Sequence, residues 1–309
     1  MRITDIPKIT NQTIVTIGTF DGVHLGHVSI FNQIKKIRNE FFPKSKILII
    51  TFRKSPKSII NPKNQYAVIC SLKERLRLIR LHDIDYVIPI DFDQNLRNKT
   101  AFDFLNQLKS HLNLQAFVLG KGTTIGNDRI SLENDLKKIT DKIGVGLFIL
   151  PHVVYKNQKI SSSQIKDLIK SSDLSNIKES LGRNFSLTGK VIRGKQRGKA
   201  LGYATANLEI SLDQCLPKSG IYITQSSIGN SKRKMTSVTS VGTNPTFESN
   251  KNPSTKVETH IIDFNDDIYY KTLNIEFEKF LRAQIKYKDS VSLKNQMEID
   301  VANVKNQIT

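Results

Sequence analysis

The hydrophobic rhythm of this chain changes near Gly182, and a core built on one rhythm does not absorb the other. Before that point, apolar strand-like runs alternate with patterns of helical period. Strands are expected at 13–17, 46–52, 86–90, 116–119 and 145–150, and helices at 28–39, 71–81, 101–112 and 132–143. The run 46–52 is nearly all apolar, the mark of a strand covered on both faces. Leu72, Leu76 and Ile79 mark the inner face of one helix, and Phe102, Leu105 and Leu108 that of another. Ser71 to Glu74 reads as a capping box and Thr100 as a cap. The alternation predicts an α/β fold, a parallel sheet with helices on both sides.

Residues 160–181 carry two short helical pieces, the second starting at Leu174. After Gly182, short strand-like runs at 186–193, 208–210, 220–227, 235–241, 257–262 and 272–277 follow one another with Gly, Pro, Asn and Asp between them and no helix. That pattern predicts an all-β antiparallel barrel or sandwich, closed by a terminal helix at 292–306. The domains are therefore expected at 1–182 and 183–309, each long enough for its own core.

The net charge of +19, from 47 Lys and Arg against 28 Asp and Glu, has two readings. One is a nucleic-acid binder, since dense cations are the footprint of a phosphate-backbone contact. The other is a lysine-rich composition spread over the surface. The cations are dispersed, as in Lys35-Lys36, Lys137-Lys138 and Lys232-Arg233-Lys234, and no nucleic-acid module accompanies them. The dispersed reading is preferred, with part of the charge serving anionic small substrates. No apolar run reaches the roughly 20 residues of a membrane helix. Residues 1–9 lack the apolar core of a secretory signal. Cys70 and Cys215 stand alone, which argues against a disulfide framework and for a reducing cytoplasm.

Chemistry concentrates in four places. Gly18-Thr19-Phe20-Asp21-Gly22-Val23-His24-Leu25-Gly26-His27 lies between a strand and a helix, where backbone amides and a helix N-terminus hold anions. His24 and His27 can point together at such a ligand and stabilise charge on a leaving pyrophosphate. Against this stand two plain turn histidines or half of a metal site, and their spacing favours phosphate. Ser161, Ser162 and Ser163, with Lys166 one turn on, are either a helix cap or a second phosphate contact. The basic, Gly-rich stretch 189–202, with Gly189, Lys190, Gly194 and Gly198, is either a hairpin or a loop that closes over phosphates. Thr205 and Asn207, two apart on a strand, share a side and can hold Mg²⁺ with a nucleotide phosphate. Glu258, alternating with apolar neighbours, either faces solvent or takes a proton from an attacking hydroxyl.

In order and spacing these stretches resemble a known family. GTFDGVHLGH and ISSSQIK are similar to the HxGH and ISSTxxR signatures of the nucleotidylyltransferases, in their flavin-adenylating branch. GKVIRGKQRGKALGYATAN, VGTNPTF at 241–247 and VETHIIDF resemble a riboflavin kinase domain. Together, from Ile14 to Ala302, they resemble the bacterial bifunctional riboflavin kinase/FAD synthetases. The resemblance implies a Rossmann-like nucleotidylyltransferase domain followed by a Greek-key β-barrel with a terminal helix, in a cytoplasmic transferase. It implies ATP and Mg²⁺, with riboflavin phosphorylated to FMN in the barrel and FMN adenylylated to FAD in the first domain. It makes Glu258 the catalytic base and Thr205 and Asn207 the ligands of Mg-ATP. His24, His27, Ser161–Ser163 and Lys166 then hold ATP phosphates, with Gly18, Phe20, Asp21 and Gly26 in the binding turn. The chain departs from the family in several places. It reads Arg53-Lys54-Ser55-Pro56 where the family has xPHP, and Gly122-Thr123-Thr124 where the family has an acid and an aromatic residue. Lys166, Lys199 and Gln284 stand for an Arg, an Arg and an acid, and Ala204 for a Pro. A rival reading is a riboflavin kinase with a degenerate adenylyltransferase half; a basic nucleic-acid binder is a distant third.

Overall fold

A computed structural model describes residues 2–6, 8–63, 66–155, 158–194, 198, 202–242 and 255–306. The two rhythms become two compact units, Met1–Tyr66 with Leu72–Ser162, and Ala67–Ser71 with Ser163–Thr309. After a single 3-10 turn at Ile3–Asp5, the first unit runs β1 (Thr13–Gly18), α1 (Leu25–Phe41), β2 (Lys46–Phe52), α2 (Pro56–Ile60), α3 (Leu72–Arg80) and β3 (Tyr86–Ile90). It continues through α4 (Gln94–Arg97), α5 (Ala101–Leu112), β4 (Leu114–Gly120), α6 (Glu133–Lys142) and β5 (Gly146–Leu150). A small hairpin of β6 (Val154–Tyr155) and β7 (Gln158–Lys159) follows.

The five long strands are parallel in the order β3-β2-β1-β4-β5. Alternate residues serve opposite faces. Val15, Ile17, Leu48, Ile50, Phe117 and Leu119 pack with Leu105, Leu108 and Leu136 of α5 and α6, whereas Ile14, Ile47, Ala116 and Val118 meet Ile34 and Ile37 of α1. Burial on both faces is why these strands show no polar alternation. The strand order reverses between β1 and β4, and in such sheets ligands bind beyond the carboxyl ends of the strands at the reversal. Gly18 and Gly120 end those two strands.

Two inner faces differ from expectation. Helix α3 buries Glu74, Arg75, Leu78 and Ile79: Ile79 is as expected, but Leu72 and Leu76 stay half-buried, and the inner face is shared by Arg75, which finds main-chain partners inside. Helix α5 buries Phe104 beside Leu105 and Leu108, while Phe102 stays half-buried under the Lys142 ammonium.

The second unit contains α7 (Ser162–Ser171, its first residue in the first unit) and α8 (Leu174–Leu181), which ends at Gly182 with φ 70°. Then come β8 (Ser186–Ile192), β9 (Ala206–Glu209), β10 (Gly220–Ile228), β11 (Met235–Gly242), β12 (Lys256–Ile261), β13 (Thr272–Arg282) and α9 (Ser290–Asn306). The strands close an antiparallel barrel in the order β10-β11-β12-β9-β8-β13. Within it β10, β11 and β12 form a meander with β9 beside β12, a Greek key. Strand β13 runs past the expected end at Phe277. Register shifts in its pairing with β10 break the alternation of period two there. Arg282 at its end donates to both carboxylate oxygens of buried Asp300, at 2.9 and 2.6 Å, which fastens α9 to the barrel.

Candidate active sites

The first site is a turn held in strained backbone. Phe20, Gly22 and Val23 have φ of 49°, 76° and 41°. Glycine adopts this region freely, whereas a β-branched valine there is a true outlier. Helix α1 begins at Leu25, earlier than its apolar pattern suggests, because Gly26 and His27 in its first turn carry no apolar signal. His24 is therefore its N-cap residue, and its own side chain makes no capping hydrogen bond. The carbonyl of His24 accepts from the amides of His27 and Val28 at 2.8 and 3.0 Å.

A β-carbon on Gly26 would lie 2.9 Å from His24 Cε1, so only glycine lets that ring fold back over the helix start. The His24 and His27 rings stack at 3.6 Å with 20° between their planes, and the Phe20 ring meets His27 edge-on at 5.2 Å. Two imidazolium ions do not stack at that distance. Burial, then the charge of His24, then that of Arg75 hold the His27 pKa well below its ordinary value. His27 is thus neutral at pH 7, with its buried Nδ1 making no hydrogen bond to a described group. Ser162 joins this turn directly, its hydroxyl donating to the carbonyl of Asp21 at 3.1 Å. Gly18 ends β1 against the ring of buried Phe20, and Asp21 is buried beside it. Ser163 and Lys166 fall in the second unit.

The second site is a row across three strands. Asn207 of β9 is the register partner of Glu258 of β12, and Ser240 of β11 is the partner of Glu258 on its other side. Directly opposed residues of an antiparallel pair lie on one face with their Cβ atoms about 4.5–5.5 Å apart. Their neighbours Ala206, Val257, Thr259, Thr239 and Val241 turn the other way and are buried. The loop from β8 closes on this row: a β-carbon on Gly194 would fall 2.4 Å from Asn207 Nδ2, and one on Gly198 2.4 Å from the carbonyl of Tyr203 and 3.3 Å from Thr205 Oγ1. His260 Nδ1 lies 2.9 Å from the Ala204 carbonyl, tying the start of β9 to β12, and Tyr203 packs edge-on against the His260 ring. Gly189 crosses Glu209 closely, and Lys190 covers the Tyr270 ring at 5.3 Å. Gln284 donates to Ser240 Oγ at 2.9 Å, extending the row. Lys195–Arg197, Lys199–Leu201 and most of VGTNPTF, from Thr243 on, lie outside the described residues.

Residues 6–164 match the family model described as FAD synthetase, and residues 181–308 match that of riboflavin kinase. A bifunctional riboflavin kinase/FMN adenylyltransferase from Buchnera aphidicola subsp. Schizaphis graminum is 30% identical, over 97% of this chain and 96% of its own. The chain belongs to the bifunctional riboflavin kinase/FAD synthetase family. The Bacillus subtilis enzyme of the same name is 25% identical over 94% of this chain and 90% of its own. A Streptococcus pneumoniae structure described as a macrolide-efflux protein superposes with a TM-score of 0.85 at 28% identity, over 99% of this chain and 97% of that one. Efflux is said of that protein; among the described residues here no helix is long and apolar enough to cross a membrane. The first half of this chain is an FAD synthetase and the barrel half a riboflavin kinase, with ATP as co-substrate and FMN and FAD as products.

Against that family, two of the departures take up local duties. Ser55 stands before α2, its carbonyl accepting from the Ser58 hydroxyl at 2.7 Å. Thr123 Oγ1 donates to the Gly120 carbonyl at 2.7 Å, closing the turn after β4. Sequence reasoning missed Arg75, Thr51, Ser240 and His260. For Arg75 there was a signal, a charge at 75 beside the apolar stripe 72, 76 and 79. For Ser240 there was none, since its place follows only from the pairing of β11 with β12.

Proposed function

We propose that the Asn207–Glu258–Ser240 row is the riboflavin kinase centre and the Gly18–His27 turn the adenylyl-transfer centre. The register pairing of Glu258 with Asn207 carries the first assignment, because it sets a base beside a phosphate-side ligand. Glu258 takes the proton of the ribityl 5′-hydroxyl as that oxygen attacks the γ-phosphorus of ATP, and ADP departs. Thr205 and Asn207 offer a hydroxyl and an amide carbonyl, hard oxygen donors that suit Mg²⁺ when substrate phosphates and water complete its shell. The fit is supported by the cradle that Gly194 and Gly198 leave open around these two side chains. Held by Thr205 and Asn207, the ion would supply positive charge against that of the transferring group. The loop 189–202, with Lys190 on its first strand, covers the nucleotide.

In the first unit the FMN phosphate oxygen attacks the α-phosphorus of ATP, and the bond to the bridging oxygen of pyrophosphate breaks. Gly18, Phe20, Asp21 and Gly26 shape the cradle. His24 and His27 stabilise the charge that builds on pyrophosphate, with the start of α1 behind them. Ser161 and Ser162, in the same unit as the turn, add phosphate contacts. We place the functional boundary at 182/183, a reading supported by the end of α8 at Gly182 and the matched spans 6–164 and 181–308. A reducing cytoplasm suits two buried cysteines that form no disulfide.

Purified protein given riboflavin, ATP and Mg²⁺, with flavins separated by chromatography, is expected to produce FMN first and then FAD. FMN that accumulates without FAD would overturn the assignment of the first unit.

A further inference from the structure

A charged side chain inside a fold is costly unless hydrogen bonds replace its water, so a buried arginine asks for an explanation. Arg75 of α3 keeps 4% of its surface exposed. Its Nη1 donates to the Thr19 carbonyl at 2.7 Å, and its Nη2 to the carbonyls of Phe52 and Arg53 at 2.7 and 3.2 Å. Thr51 Oγ1 donates to the same Thr19 carbonyl at 3.1 Å. Phe52 ends β2, and Thr19 and Arg53 lie one residue past the ends of β1 and β2. The β1–β2 ladder stops at Gly18 and Thr51, so the guanidinium fork binds together two strand ends that the sheet no longer joins. Thr19 then leads directly into the left-handed residues Phe20, Gly22 and Val23. Backbone strain of this kind persists only where the surroundings over-determine it.

We infer that Arg75 is a positioning residue of adenylyl transfer: it fixes the carbonyl from which the strained turn departs, and so sets where His24 and His27 present their rings. The inference rests on the reading of that turn as the ATP site. The guanidinium also acts on His27 through its charge, and with His24 it is the cationic or titratable group whose field lowers the imidazole's pKa after burial itself. A lysine at 75 would keep the charge but lose the planar fork.

The test uses the full chain with Arg75→Gln and Arg75→Lys. FAD formation from supplied FMN and FMN formation from riboflavin are measured separately, and the His27 imidazole is titrated by NMR. Arg75→Gln is expected to lower kcat for FAD formation about 100-fold, the usual cost of about an ångström of misplacement. Riboflavin phosphorylation should stay within about twofold, because that chemistry lies on the barrel. Arg75→Lys should recover no more than about tenfold, since one ammonium cannot reproduce the fork. The His27 titration should move up in Arg75→Gln and hold in Arg75→Lys. FAD formation within about threefold of wild type in both variants would overturn the inference, as would equal loss of both activities, which makes Arg75 a general folding residue. Wild-type protein that forms no FAD would instead sink the functional reading of the turn. The Arg75 inference is then decided on the NMR titration, and an unchanged His27 in Arg75→Gln overturns it.

Discussion

The two sites proposed for this enzyme are built by opposite means. On the barrel, strand register does the placing: Asn207, Glu258 and Ser240 share a face because β9, β12 and β11 pair there, and their backbones are ordinary extended strands. In the first unit a turn with three left-handed residues does the placing, braced from outside by Arg75, Thr51 and Ser162. A register site tolerates change at its neighbours as long as the pairing holds. A strained turn is only as accurate as its braces. Substitutions should therefore act locally and separably on the barrel, and more diffusely around the turn.

The sharpest test of separability is Glu258→Ala. Removing a general base typically costs about 10²–10⁴-fold, so FMN formation from riboflavin should fall by about 10³-fold. Adenylylation of supplied FMN should be unchanged. Riboflavin and FMN assays on one preparation check this, and a joint loss in a folded variant would break the comparison between independent sites.

On the turn, His27→Gln is expected to lower FAD formation by about 10²-fold, in line with loss of one donor to developing charge. Gln keeps a polar group, so the residual rate reports what Gly18–Gly26 and the helix start supply without the imidazole. The phosphorylation rate of the same protein should not move. A change of less than about threefold in FAD formation would mean that His27 shapes the turn without touching the phosphates.

How far each site could be read in the sequence follows from the same difference. Period-two alternation in VETHIIDF places Glu258 on the face away from the core, and a Gly-rich loop stands before Thr205 and Asn207, on the proposed nucleotide side. The partner strand, and with it Ser240, could not be read, because register between distant strands leaves no local trace. In the first unit the parallel sheet was legible from its apolar strands and the turn from its glycines and histidines. The stacking of His24 on His27 and the left-handed Val23 were not, since nothing in valine's chemistry announces φ 41°. Arg75 hides for a related reason: its partners are main-chain carbonyls, which every sequence possesses.

Gly194→Ala probes the barrel side with a smaller effect. The added methyl would fall 2.4 Å from Asn207 Nδ2, so either the loop or the amide must shift. With Asn207 in the proposed role of Mg-ATP ligand, its displacement weakens Mg-ATP more than riboflavin. KM for ATP in the kinase reaction should rise about tenfold, the scale of one charge-assisted contact, with KM for riboflavin unchanged. Equal rises in both would show that the loop contacts the flavin as well, and that the row is less local than its register implies.

The smallest effect expected is thermodynamic and belongs to the turn alone. His27 in the folded protein has a pKa well below its ordinary value, chiefly because it is buried and stacked on His24. The unfolded chain titrates near the unperturbed value of about 6.5. As pH falls through that value the unfolded state takes up a proton and the folded state does not, so stability declines with falling pH. The decline ends once the pH drops below the depressed folded value, where both states carry the proton. His27→Gln removes this dependence. Denaturant midpoints between pH 7.5 and 5.5 should fall less steeply for the variant than for wild type. Saturating ATP should also reduce the wild-type slope, because phosphates beside the ring favour its protonated form and raise its pKa in the complex. Identical slopes for wild type and variant would mean that the stacked pair shares its proton in the folded state, and the turn would then be cationic before ATP arrives.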